Sequence, residues 1–115
     1  MNQQLVDFYL NNGMDHCGRS LSEILSFIDD QLERTHDYIQ WLFPLTEPSF
    51  YNAQAPLLDE ETIVEFQNNQ QLRDNVIIAW MRMMKFYLSY NWISCGNHNY
   101  LRITRILTFL SYCNL

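Results

Sequence analysis

Two stretches of this chain carry polar side chains whose types and spacing could do chemistry. In Asn97-His98-Asn99-Tyr100-Leu101-Arg102-Ile103-Thr104-Arg105, three polar residues precede two arginines set three apart. A helix beginning at Asn97 offers free N–H groups and the positive end of its dipole to an anion. Arg102 and Arg105 share one face, and Arg102 lies three residues after Asn99. A guanidinium binds a carboxylate or phosphate through two parallel hydrogen bonds, so Asn97, His98, Asn99, Arg102 and Arg105 are candidates for an anion-binding corner. The competing reading is structural: the arginines bond to Asp37, Glu47 or another acid of the N-terminal half. Both hold together if acids and arginines line one polar cleft.

The second stretch is His36-Asp37-Tyr38-Ile39-Gln40-Trp41-Leu42-Phe43-Pro44. His36 and Gln40 are four apart and share one helix face, while Asp37 and Trp41 share another. A histidine beside a carboxylate supplies groups for general acid–base chemistry. Consecutive helical residues point about 100° apart, however, so His36 and Asp37 do not form a dyad by themselves. The structural alternative has Tyr38, Ile39, Trp41, Leu42 and Phe43 plugging a core while His36 and Gln40 satisfy loop backbone groups. If the two stretches pack together, His36, Gln40 and Asn52 lie near Asn99 and Arg102.

Other chemistries find less support. Cys95-x-x-His98 has zinc-ligand spacing and His16-Cys17 offers two more ligand types, but an adjacent His-Cys pair is poor geometry, and no metal or other cofactor is expected. No GxSxG elbow, glycine-rich phosphate loop, HExxH or EF-hand pattern occurs. Binding is therefore preferred to catalysis. The catalytic alternative is a small hydrolase or transferase using His36 or His98 with an arginine-bound substrate.

The elements that must position these residues read as helices. Gln3 to about Asn11 turns Leu5, Phe8 and Tyr9 inward, and Gly13 suits a left-handed C-terminal cap. Ser20 with Glu23 forms a capping box, and Leu21, Ile24, Leu25, Ile28 and Leu32 then follow one amphipathic face. The His36–Pro44 stretch should be one or two helical turns ending near Leu42, because Pro44 drives Phe43 out of the α region. Residues 44–58 hold all three prolines and form the one long loop, whose Leu45, Phe50, Tyr51, Leu57 and Leu58 should pack on the helices. Asp59 caps a short helix with Ile63, Val64 and Phe66 inward. The longest helix runs from about Gln71 to Tyr90, with Leu72, Val76, Ala79/Trp80, Met83, Phe86/Tyr87 and Tyr90 as its stripe and Met81, Met83 and Met84 as gap-fillers. Trp92 to Gly96 connects it to a final helix with Tyr100, Ile103, Leu107 and Leu110 inward. The expected fold is all-α, a compact bundle of five to six helices in a single domain spanning residues 1–115.

Composition supports that class. The apolar fraction is 48%, enough for a packed core in 115 residues, and only three glycines and three prolines punctuate the chain. No apolar run reaches the roughly 20 residues of a membrane span, and Met1-Asn2-Gln3-Gln4 lacks the basic flank of a secretory signal. The net charge of −6 conceals 11 acids against two arginines in residues 1–61, and five bases against two acids thereafter. Complementary halves of one fold are one account, and an acidic partner-facing surface is the other. An acidic chain is a poor ligand for nucleic acid. Cys17, Cys95 and Cys113 cannot all pair within one chain, which suits reduced thiols in a cytoplasmic setting.

The two stretches also carry a resemblance. The HDYIQWLFP run of residues 36–44 and the NHNYLRITRIL run of residues 97–107 resemble segments of the opioid growth factor receptor conserved region. Leu21-Ser22-Glu23-Ile24-Leu25, Asp59-Glu60-Glu61 and the spacing of Glu47, Ser49, Asn52, Ala55 and Pro56 are similar too, so the likeness runs from about Phe8 to Tyr112. It implies an all-helical domain. Animal receptors of the family are associated with opioid-peptide (enkephalin) binding, nuclear traffic and growth restraint, which makes a nuclear location the alternative to a cytoplasmic one, with export lacking a signal peptide a further one. The chain looks like a short, stand-alone, microbial-type member without the family's continuation past the final helix. Such a final helix could be covered by a second copy, giving a homodimer. The expected role is a binding module whose polar cleft holds a peptide, a protein segment or a small anion. Its candidate residues are His36, Asp37, Gln40, Trp41, Glu47, Asn52, Asn97, His98, Asn99, Arg102 and Arg105.

Overall fold

A computed structural model describes residues 1–50, 52–89 and 98–115, the last segment with side chains from residue 101 onward. Its described residues form seven helices: α1 (Gln3–Tyr9), α2 (Leu21–Leu25), α3 (Asp29–Arg34), α4 (Ile39–Leu42), α5 (Glu60–Asn68), α6 (Gln70–Ser89) and α7 (His98–Tyr112). No strand occurs among them. A single parallel bridge joins Leu45 to Leu57 across the base of the long loop.

The all-α expectation holds, with more helices than five or six because the amphipathic run after Ser20 breaks in two. The Ser20–Glu23 capping box is present and starts α2. Ser26 Oγ then turns back onto the Glu23 carbonyl at 2.6 Å, and Ile28 takes an extended conformation as the N-cap of α3. Ile28 consequently faces solvent rather than the core. The break is held by a tertiary contact: Arg82 Nη2 on α6 donates to the Phe27 carbonyl at 2.7 Å and to Asp29 Oδ1 at 2.8 Å. Local periodicity contains no trace of that arginine, fifty-odd residues away.

The left-handed residue after α1 is Asn11 (φ 60°), not Gly13. Asparagine tolerates this conformation, and the Asn11 side chain is used at once, accepting from Ser22 N and Ser22 Oγ. Gly13 serves close approach instead, since a Cβ there would lie 3.1 Å from that of Asp7.

Aromatic side chains fill the core. Tyr9 of α1 meets Phe66 of α5 edge-on at 5.2 Å, and Phe66 meets Phe109 of α7 at 5.4 Å. Phe43 packs on Phe109 from the other side at 6.1 Å. The buried Tyr9 hydroxyl donates to the Leu42 carbonyl, and Asn75 Nδ2 of α6 donates to the Tyr9 carbonyl at 2.6 Å. These bonds satisfy polar groups that would otherwise cost about 1–3 kcal/mol each when buried. Asp59 caps α5 by accepting from Thr62 N at 2.8 Å.

On α6, Leu72, Val76, Ala79, Met83, Phe86 and Tyr87 are buried as the stripe predicts. Met81 and Met84 are not gap-fillers, because both are exposed, as is Val64 on α5, while Trp80 sits at the rim. Phe50 in the long loop is also fully exposed, whereas Leu58 is buried. The α7 face is rotated from its expected setting. Arg102, Ile106, Phe109 and Cys113 form the buried line, Ile103 and Leu110 flank it, and Leu107 is exposed. Apolar spacing fitted two neighbouring faces of this helix, and the true one begins with an arginine that a count of apolar residues passes over. Tyr51, Tyr90 and the connection Trp92–Gly96 lie outside the described residues.

Candidate functional site

Arg102 is 4% exposed, so its guanidinium has left water and must find fixed partners. It finds the end of α3. Nη1 donates to the Leu32 carbonyl at 3.0 Å, and Nη2 to the Thr35 carbonyl at 2.7 Å. These oxygens close a helix, where carbonyls lack intrahelical partners and the dipole favours a cation. The guanidinium also lies over the Tyr38 ring, 5.4 Å from its centroid, and the Tyr38 hydroxyl donates to the same Leu32 carbonyl at 2.7 Å. Burial outweighs the lowering effect of the arginine and raises the Tyr38 phenol well above its ordinary titration range. Among the described residues, Arg102 is thus tied to backbone carbonyls where a salt bridge was expected.

That tie joins the two sequence stretches. Arg102 Nη2 lies 3.4 Å from His36 Nδ1. His36 precedes α4 and is not on it, but its carbonyl accepts from Gln40 Nε2 at 3.3 Å. Asn52 Nδ2 reaches Gln40 Oε1 and the Asp37 carbonyl, each at 3.5 Å. His36, Gln40, Asn52 and Arg102 therefore do converge. The side chains of His98 and Asn99, and the whole of Asn97, lie outside the described residues.

Beside this convergence a pocket of about 510 Å³ opens between α4, the loop after it and the flank of α7. Ile39 and Gln40 form its α4 wall, with His36 at one edge. Leu45, Glu47, Pro48, Ser49 and Phe50 form the loop wall, and Leu101, Arg102, Thr104, Arg105 and Thr108 the α7 wall. The walls are largely apolar, and the polar groups are few. This is the usual make-up of a ligand site, in which apolar surface supplies affinity and a few polar groups set orientation.

Arg105 is the unusual member. Its Nε and Nη2 are buried and have no hydrogen-bond partner. Among the described residues Glu47 makes no ion pair and Asp37 pairs with Arg19, so neither acid named as a partner for Arg105 meets it. Desolvation without compensation lowers the Arg105 pKa to about 10, which leaves it cationic at neutral pH. Nε–H and Nη2–H point side by side from one edge of the guanidinium, the edge that receives a carboxylate in two parallel bonds.

Asp37 and Trp41 stand away from the pocket, on the other face of their stretch. Arg19 Nη1 donates to Asp37 Oδ1 at 2.9 Å, while its Nε and Nη2 hold Asp15 Oδ2, each at 2.7 Å. Cys17 Sγ donates to Asp37 Oδ2 at 3.3 Å. Desolvation would raise the Asp37 carboxyl, but these two hydrogen bonds and the charge of Arg19 hold it below its ordinary value. Buried Trp41 donates its indole N–H to His16 Nδ1 at 2.9 Å. Together these contacts clasp the loop of residues 15–19, with Gly18 at φ +76°, onto the His36–Pro44 stretch.

His16, Cys17 and Asp37 bring ligand-type atoms within 4.8 Å of one another. The hydrogen bond from Trp41 puts the proton of the neutral imidazole on Nε2, the nitrogen 3.8 Å from Asp37 Oδ2. A nitrogen carrying a proton has no lone pair for a cation, and Arg19 already holds the carboxylate. The trio fits a hydrogen-bonded clasp better than a metal site.

The model for the opioid growth factor receptor conserved region matches residues 2–92. The chain belongs to that family. The match takes in the HDYIQWLFP stretch and ends before the NHNYLRITRIL one. Human opioid growth factor receptor is 35% identical over 108 residues, covering 75% of this chain and 15% of the receptor. The rat receptor is 32% identical over 105 residues, covering 75% and 18%. Opioid growth factor receptor-like protein 1 of Xenopus tropicalis is 35% identical over 99 residues, covering 70% and 19%. The chain thus spans less than a fifth of the length of these family members. No solved structure matches it. No helix among the described residues is long and apolar enough to cross a membrane.

The family stretch has two working faces here: His36, Ile39 and Gln40 toward the pocket, Asp37 and Trp41 toward the clasp. Sequence reasoning missed most of the pocket's wall, since Leu45, Pro48, Phe50, Leu101 and Thr108 carry no chemical signature. It also missed Asp15 and Arg19, whose i, i+4 spacing around Gly18 was the available sign.

Proposed function

We propose that this chain is a non-catalytic binding module whose ligand, a peptide segment or small anion, sits in the pocket between α4, the loop of residues 45–50 and α7. The observation that carries the reading is a half-buried arginine, Arg105, on the wall of a largely apolar pocket, with two of its nitrogens lacking a hydrogen-bond partner. A desolvated cation without a partner is a cost that a bound anion removes. His36, Gln40 and Arg102 act as the rigid rear of the site, and Glu47 sits on its loop wall. Asp37 and Trp41 support it from behind, Asn52 steadies Gln40, and Asn97, His98 and Asn99 stay in the proposal as candidate residues. The relatives' name, opioid growth factor receptor, agrees with a peptide or protein partner. A soluble, cytoplasmic or nuclear setting belongs to the same proposal, and nucleic acid and membrane are not proposed as partners.

A thermal-shift screen of small anions, nucleotides and short peptides tests it, run on the wild type and on Arg105→Gln. A ligand at a hundred times its Kd adds about 2.7 kcal/mol of stability. The reading expects such a shift in the wild type and little in the variant, whereas a flat screen of the wild type refutes it. The enzymatic alternative, with His36 or His98 acting on an arginine-bound substrate, rests on the 3.4 Å approach of His36 to Arg102. It requires a turnover that His36→Ala or His98→Ala abolishes. A homodimer through α7 fits the exposure of Leu101 and Leu107, and a monomeric sedimentation mass at micromolar concentration refutes it.

A further inference from the structure

Independently of the pocket, we infer that the outward face of α6 pairs with the same face of a second copy of this chain, the two helices running antiparallel. α6 buries one apolar stripe in the core, yet it carries another on its far side. Ile77, Met81, Met84 and Leu88 recur at intervals of four, three and four, so all of them fall within about 60° of the helix surface. Every one is exposed, Met81 at 59% and Leu88 at 82%. Trp80 and Ile78 widen the stripe on its two flanks and are exposed as well. A helix that is apolar on two opposite faces needs cover on both.

Area sets the kind of cover. The exposed parts of these six side chains amount to roughly 600 Å², the upper end for a contiguous apolar patch on a monomer. Two such faces together bury about 1,200 Å², the lower end of a specific interface. On α7 the exposed Leu101 and Leu107 stand about 120° apart and form no such stripe, which places the pairing on α6.

Spacing and charge select a second copy as the occupant. The four-three-four order reads the same from either end of the helix. An antiparallel copy therefore sets Ile77 against Leu88 and Met81 against Met84, twice each, in the manner of a short coiled coil. The two-fold axis between the Met81 and Met84 levels closes the contact, so assembly stops at two chains. Methionine side chains at that centre adapt readily to the surface they meet. The chain carries a net charge of −6, so most pairs of like faces repel each other. This face is the exception: of the exposed positions from Ile77 to Ser89 only Lys85 is charged, and Arg82 is turned inward to Asp29. Lys85 lies on the flank, where its apolar stem covers the second copy's Ile78 while its ammonium stays in water.

Sedimentation equilibrium of the intact chain from about 1 μM to about 1 mM tests the pairing, beside Met81→Lys and Leu107→Lys. The wild type should pass from the monomer mass to twice that mass as concentration rises. Met81→Lys sets a cation against the apolar face twice per pair, which should weaken association about a hundredfold, roughly tenfold at each site. Leu107→Lys should leave association unchanged. Both positions are exposed, so both variants should fold, and circular dichroism checks that they do. A mixture of Met81→Cys and Met84→Cys chains, oxidised gently and mapped by mass spectrometry, should join position 81 to position 84 ahead of 81 to 81 or 84 to 84. A wild type that stays monomeric throughout overturns the inference. So does a dimer that Met81→Lys leaves intact, and one that Leu107→Lys dissociates belongs to α7. Preference for the 81 to 81 and 84 to 84 links overturns the antiparallel pairing. None of these outcomes bears on the ligand pocket, whose walls include no residue of α6.

Discussion

Replacing Arg102 with alanine separates a structural arginine from a ligand-binding one, and its cost can be worked from the geometry. Two charge-assisted hydrogen bonds disappear, at 3.0 Å to Leu32 O and 2.7 Å to Thr35 O. The Leu32 carbonyl keeps the Tyr38 hydroxyl as a partner, but the Thr35 carbonyl loses its charged donor at the end of α3. An orphaned acceptor costs about 1–3 kcal/mol, and removing the cation from the Tyr38 ring about 0.5–1 kcal/mol more. The void left by a buried side chain adds to this, and recovered solvation of the guanidinium subtracts. About 3 kcal/mol is the expected net loss. For a chain of 115 residues, 1 kcal/mol corresponds to about 4 °C in Tm, so the variant should melt roughly 12 °C lower. Urea unfolding followed by far-UV circular dichroism, with a thermal melt beside it, measures both quantities. Arg102→Lys should lose about half as much, since one ammonium cannot span both carbonyls as a planar fork does. A loss below about 1 kcal/mol for Arg102→Ala would refute the assignment of this side chain as the tie between α7 and α3.

Three further outcomes follow from other contacts. Asp37, Asp29 and Asp59 have lowered native pKa values, so the stability they contribute is present above the ordinary carboxylate value of 3.8 and lost as pH falls below it. In Asp37→Asn the acid limb of a stability-against-pH curve should be shallower than in the wild type, and an unchanged limb counts against the clasp. Burial pushes the Cys113 thiol up to about 12, whereas Cys17 is exposed, so a thiol reagent at pH 8 should spare Cys113 and modify it only on unfolding, as mass spectrometry of the labelled chain can show. Asn75→Ala, which strips the buried Tyr9 carbonyl of its 2.6 Å donor, should cost about 1–3 kcal/mol in the same urea assay.

Much of the fold was legible because it is written in local chemistry. The Ser20–Glu23 capping box, the Asp59 cap and the stop before Pro44 each depend on residues within a turn of one another, and all are present. What the sequence hid was decided over long distances. The split between α2 and α3 answers to Arg82, and the rotation of α7 answers to carbonyls on α3. Periodicity assigns a helix its apolar face, and it misleads when the innermost position holds a charge. The candidate site followed the same rule. Helical spacing separated His36/Gln40 from Asp37/Trp41, and the two pairs do part, although His36 and Asp37 precede α4 and so are not placed by its turns. The division of labour between two arginines three residues apart could not, since it depends on which of them reaches a fixed acceptor.

That division is the central claim, and Arg105→Met tests it most directly. Methionine keeps the volume of the arginine stem and removes a buried cation whose Nε and Nη2 have no partner. Natural binding sites commonly trade stability for function in this way. Thermal unfolding of the wild type and the variant, each with and without a ligand found in the thermal-shift screen, is the measurement. The account predicts a variant about 1 kcal/mol more stable than the wild type when empty, near 4 °C in Tm, and unmoved by the ligand. A variant that is markedly less stable when empty, or that still responds fully to ligand, would contradict it.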